Sequence, residues 1–70
     1  MVAKDSLMRL IGKEVRVHFM DDVVVTGVLE YREERAFDYR KPMFFRIEGI
    51  FRIRYFLPCD VFRVKLVEEN

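Results

Sequence analysis

Apolar side chains fall on every second residue from Val15 to Tyr31, in two runs separated by Asp21-Asp22: Val15, Val17 and Phe19, then Val23, Val25, Leu29 and Tyr31. A two-residue period places each run on one face of a β-strand, so the stretch reads as a half-buried antiparallel hairpin. Parity then fixes its turn. A two-residue turn would send the two apolar sets to opposite faces, whereas the three-residue turn Met20-Asp21-Asp22 sets Phe19 opposite Val23 and Val17 opposite Val25. Gly27 interrupts the second run, and a missing side chain inside a strand marks a bend, a bulge or a neighbouring backbone. The strand is therefore expected to curl into a barrel.

The rest of the 70-residue chain extends this pattern. Asp5 or Ser6 is placed to cap a short helix over about residues 5–11, with Leu7, Leu10 and Ile11 on one side and Gly12 as its stop. Strands are expected over about 14–20 and 23–31. A polar connection from Arg32 to Pro42 follows, carrying Phe37, Tyr39 and Arg40, and loops of this kind commonly hold binding residues. Two more strands are expected over 43–47 and 50–57. A three-residue turn Ile47-Glu48-Gly49 would place Phe45 opposite Phe51 and Met43 opposite Ile53, leaving Arg46, Arg52 and Arg54 outward together. Pro58-Cys59-Asp60 makes a minimal break before a fifth strand over 61–67, with Phe62, Val64 and Leu66 on one face and Arg63 and Lys65 on the other.

A chain this short needs a dense core, and 51% hydrophobic residues, seven of them Phe, supply one. The net charge of +1 conceals an uneven distribution. From residue 39 to 65, Arg40, Lys41, Arg46, Arg52, Arg54, Arg63 and Lys65 face only Glu48 and Asp60, a balance that suits an anionic partner. The lone Cys59 allows no internal disulfide and fits a reducing, cytoplasmic setting. No apolar run approaches the roughly 20 residues that span a bilayer, and the first residues lack the apolar centre of a secretion signal, so no membrane partner is expected.

One short helix, five bent strands, a glycine inside the second strand and a tight turn before the fifth resemble the Sm-like family of small SH3-type barrels. The most specific part is Leu10-Ile11-Gly12-Lys13-Glu14-Val15-Arg16-Val17 with Asp21 and Val25-Thr26-Gly27-Val28-Leu29, which is similar to the first motif of that family. Asp22 stands where the family has a turn glycine. Arg32-Glu33 stands where it has an aromatic-Asp pair, and no asparagine occurs between Asp21 and Glu69. The second motif would fall at Leu57-Pro58-Cys59-Asp60, where the family's basic residue and glycine are missing. In the family these missing residues line a uridine-binding pocket. The resemblance implies a mainly β fold, a short N-terminal α-helix followed by a five-stranded, strongly bent antiparallel barrel. It also implies RNA as a ligand class and a homo-oligomer joined through edge strands.

The chemistry-bearing residues divide accordingly. Arg46, Arg52, Arg54, Arg63 and Lys65, with Phe37, Tyr39 and Arg40 of the long connection, are the candidate contacts to RNA or single-stranded nucleic acid. Arginine pairs phosphates and aromatic rings stack on bases. The same alternation is also what a sheet with one buried and one solvated face produces. His18 has no second histidine near it and reads as an ordinary surface or packing residue; Cys59 reads as a small apolar side chain. Asp21-Asp22 and Glu33-Glu34 occupy turns, where acidic residues need no catalytic reason. Neither a metal-ligand cluster nor a glycine-rich phosphate loop is present, so no cofactor and no enzymatic activity are expected. Val24, Val28, Phe44 and Phe56 are apolar on the outward side, pointing to a second layer of a closed barrel or a subunit interface. The alternative to nucleic-acid binding is therefore a protein-interaction or assembly module that uses exposed edge strands.

Overall fold

The protein is represented by a computed structural model that describes residues 2–32 and 45–67. Phe37, Tyr39, Arg40 and Phe44 lie outside the described residues. Five strands follow one short helix: α1 (Lys4–Met8), β1 (Glu14–Phe19), β2 (Val24–Tyr31), β3 (Phe45–Gly49), β4 (Ile53–Phe56) and β5 (Val61–Leu66), with a 3₁₀ turn at Pro58–Asp60. They form a mainly β fold, a five-stranded antiparallel sheet in the order β4-β3-β2-β1-β5. β4 and β5 are its two edges and share no ladder, so the sheet is not closed by hydrogen bonds. It does curl: Phe19 of β1 meets Phe56 of β4 edge-to-face at 5.0 Å, and Phe56 stacks on Phe45 at 5.8 Å.

The opening hairpin has the register that parity requires, with Val17 opposite Val25 and the Phe19 N–H donating to the Val23 carbonyl at 2.9 Å. Its turn contains Met20, Asp21 and Asp22, and Asp22 takes the left-handed conformation at φ 68° that a three-residue loop demands. Val15, Val17, Phe19, Val25 and Leu29 are buried, joined in the core by Leu7, Phe45, Ile47, Phe56 and Val61. The helix is shorter than its apolar spacing suggests. Neither Asp5 nor Ser6 caps it: Ala3 is the N-cap, its carbonyl accepting from Ser6 N–H, and the chain then turns through Gly12 at φ 82°.

The second hairpin differs from its expected register. Phe45 lies opposite Phe56, Ile47 opposite Arg54 and Glu48 opposite Ile53, so the loop is the two-residue Ile50-Phe51 and not Ile47-Glu48-Gly49. The reason is Gly49. It is a strand residue paired with Gly27, and a side chain on Gly27 would put its Cβ 2.0 Å from the Glu48 carbonyl oxygen. The glycines let two backbones approach where β2 and β3 cross; neither makes the turn. An even-numbered loop inverts the faces of β4. Phe51 and Ile53, expected inside, are 96% and 51% exposed, while Phe56, expected outside, is buried.

β5 is corrected at one position. The register slips between His18 and Phe19, so that Phe19 opposes Val61 and His18 opposes Arg63, leaving Phe62 as the extra residue of a bulge. Val61 enters the core in its place and Phe62 is exposed; Cys59 of the preceding turn, read as a buried or half-buried small apolar side chain, is exposed as well. Val64 and Leu66, opposite Val17 and Val15, keep the side of the sheet assigned to them, Val64 packed partly against the core and Leu66 39% exposed.

Candidate nucleic-acid interface

The corrected registers separate the predicted arginines. Arg46 points outward from β3, but its guanidinium donates to Glu30 and, at 3.3 Å, to Glu48, and its side chain is only 12% exposed. Its Nε is buried without a partner among the described residues. A phosphate arriving there would have to displace two carboxylates. Arg54 lies on the opposite side of the sheet from Arg46. Its two terminal nitrogens bond both oxygens of Asp21 at 3.2 and 3.0 Å, and its guanidinium carbon sits 3.8 Å from the centre of the Phe19 ring. The Arg54 hydrogen bonds hold the Asp21 carboxyl below its usual pKa, against a weaker opposing desolvation. Arg52 is exposed at the base of the Ile50-Phe51 loop and has no ion pair among the described residues.

The structure instead brings Arg63 and Lys65 together with two residues that were not among the candidates. Directly opposed residues of an antiparallel pair share a face; Arg16 lies opposite Lys65 and His18 opposite Arg63. Four basic-type side chains therefore occupy adjoining positions on the outer face of β1 and β5, roughly 5–7 Å apart across and along the strands. No described carboxylate pairs with any of them. Arg16 donates from Nε to Thr26 Oγ1 at 3.3 Å, which leaves its terminal nitrogens outward. Like charges placed opposite each other destabilise a sheet, so this arrangement carries a cost that an anionic ligand would relieve.

An aromatic ring adjoins these cations. The bulge turns Phe62 out of the core, and with His18, Phe19, Met20 and Asp22 it lines a hollow of about 370 Å³. Phe62 and Met20 are each 59% exposed. The hollow is held from below: Met20 N–H donates to the Asp60 carbonyl at 2.8 Å, and Asp60 Oδ2 accepts from Leu57 N–H at 3.0 Å. A flat ring, a thioether and nearby guanidinium and ammonium groups can receive a nucleobase and its phosphates. Nothing in this site is arranged as acid, base and nucleophile. Among the described residues no group of three or more His, Cys, Asp or Glu is placed to hold a metal, and no helix is long and apolar enough to cross a membrane.

Arg16 and His18 were legible as outward residues from the alternation of β1. Their pairing with Lys65 and Arg63 was not, because it depends on β5 lying beside β1. No protein-family model, curated protein or solved structure matches the chain.

Proposed function

We propose that this chain is an Sm-like, SH3-type small barrel that binds RNA or single-stranded nucleic acid in the cytoplasm, without enzymatic activity and as a homo-oligomer joined through its edge strands. The observation that carries the binding reading is the in-register set Arg16, Lys65, His18 and Arg63, unpaired by described carboxylates and bordered by the exposed Phe62. Phosphates neutralise the cations and a base stacks on the ring. The altered family motifs weaken the case for a uridine pocket, so recognition here rests on backbone charge and stacking and is tolerant of sequence.

The test is a titration with labelled oligouridine, oligoadenine and duplex DNA at two salt concentrations. With three full cations engaged, log affinity should fall with log salt at a slope of about −2, and Arg63→Ala with Lys65→Ala should flatten it to about −0.7. Arg52→Ala, a free cation on the other hairpin, should leave the slope unchanged. Absence of binding to all three ligands would remove the proposal.

A protein-interaction or assembly module is the second reading. It is favoured by a separate observation: among the described residues β4 and β5 have no strand paired to their outer edges, and Ile50, Phe51 and Ile53 stand exposed at the β4 end. Under that reading the oligonucleotides fail to bind while light scattering still reports self-association.

A further inference from the structure

The loop between β3 and β4 is an apolar knob: Ile50 is 90% and Phe51 96% exposed. Isolated apolar residues on a surface need no explanation, but these two are contiguous and have a receiving surface beside them. Between the loop and β2 lies a hollow of about 480 Å³, lined by Val23, Val24 and Val25 together with Ile50 and Phe51 and bordered by Arg52. A second hollow of about 310 Å³ is lined by Val28 and Ile50 and bordered by Glu14 and Glu48. Val24 and Val28 are 47% and 41% exposed, on the same outward face of β2. One patch thus carries a protruding apolar group, hollows to receive one, a cation and an anion.

That combination is self-complementary. A two-fold interface presses the same patch of each copy against the other, so every feature must find its counterpart within the patch. Arg52 and Glu14 have no ion-pair partner among the described residues, and each borders one of the two hollows beside the knob. We propose that a second copy of this chain docks here about a two-fold axis, with Ile50 and Phe51 of each copy seated against Val24 and Val28 of the other and Arg52 of each paired with Glu14 of the other. The contact is distinct from joining β4 to β5 edge to edge, which is head-to-tail and uses backbone hydrogen bonds. A two-fold knob contact pairs protomers, or pairs whole edge-joined assemblies.

Sedimentation velocity with light scattering, on the full chain at micromolar to submillimolar concentrations, tests it. The wild type should show a concentration-dependent particle of even subunit number, and Phe51→Ser should halve its mass. Phe51 contributes no buried surface to the monomer, so circular dichroism of that variant should be unchanged. Glu14→Arg should weaken pairing at least about tenfold, the loss of somewhat more than 1 kcal/mol, and adding Arg52→Glu should restore it. A wild type that stays monomeric overturns the proposal, as does a particle whose mass Phe51→Ser leaves intact. Failure of the charge swap to rescue Glu14→Arg overturns the assigned pairing.

Discussion

The outer face of β1 and β5 and the β3–β4 hairpin have similar ingredients, arginines alternating with aromatic and aliphatic residues, and use them in opposite ways. On the hairpin two of the three arginines are occupied, Arg46 by Glu30 and Glu48 and Arg54 by Asp21 and the Phe19 ring, leaving Arg52 and the apolar Ile50-Phe51 loop exposed. On β1 and β5 Val15, Val17 and Val61 are buried and Val64 packs against them, and the cations have no carboxylate partner among the described residues. Composition does not distinguish the two. What separates them is whether a carboxylate lies within reach: Glu30 across the ladder holds Arg46 and Asp21 of the first turn holds Arg54, whereas Arg16 and Lys65 face each other.

The sharpest way to break the comparison is at the point where the two regions join. Gly27→Ala would place a methyl group 2.0 Å from the Glu48 carbonyl, a backbone atom that cannot yield without separating β2 from β3. The expected cost is above about 4 kcal/mol, enough to leave a domain of this size largely unfolded, as chemical denaturation would show. A mild effect would mean that the strands do not cross there. Next in size is the contrast between two phenylalanines. Phe56→Ala empties a fully buried site and should cost about 3–5 kcal/mol, whereas Phe62→Ala should cost less than about 0.5 kcal/mol and yet weaken oligonucleotide binding. Equal destabilisation by the two would return Phe62 to the core and remove the bulge.

The smallest effect concerns the Asp21-Arg54 pair. The folded state lowers the pKa of Asp21, so the pair stabilises the protein above the unfolded carboxyl value and that contribution is lost as pH falls through the lower folded value. Below about pH 4 the wild type should lose stability more steeply than Asp21→Asn. The Asp21 side chain is about half exposed, so the difference is a slight change of slope in thermal melts. Parallel profiles would show that Arg54 rests on Phe19 without needing the carboxylate.

The physical origin of these contrasts explains what was legible in the sequence. The first hairpin was readable because its alternation is unbroken from Val15 to Phe19 and its turn is bounded by two apolar runs whose parity admits only an odd loop. The existence of a short helix near the N-terminus, though not its cap or its length, the minimal turn before β5 and the strand faces of Val64, Leu66, Arg63 and Lys65 were readable for the same local reasons. The second hairpin was not, because its glycine has two possible uses. Gly49 can supply a left-handed turn residue or a close backbone approach, and only the neighbouring strand, with Gly27 facing it, decides. Choosing the turn shifted every pair between β3 and β4 and grouped Arg46 with Arg54. The bulge at Phe62 was hidden likewise, because an uninterrupted alternation from Phe62 to Leu66 gives no sign of the slip at Val61. The candidate site inherited both errors: Arg63 and Lys65 stand in it, Arg46 and Arg54 do not, and Arg16, His18 and Phe62 join it through cross-strand pairing that no local pattern reports. Phe37, Tyr39 and Arg40 lie outside the described residues.

The most direct measurement is an amide chemical-shift titration of isotope-labelled protein with a short oligouridine at low salt. The account predicts perturbations centred on Arg16, His18, Phe62, Arg63 and Lys65, fading across β2 and absent at Arg46 and Arg54. Perturbations confined to the β3–β4 hairpin, or none anywhere at saturating oligonucleotide, would contradict it.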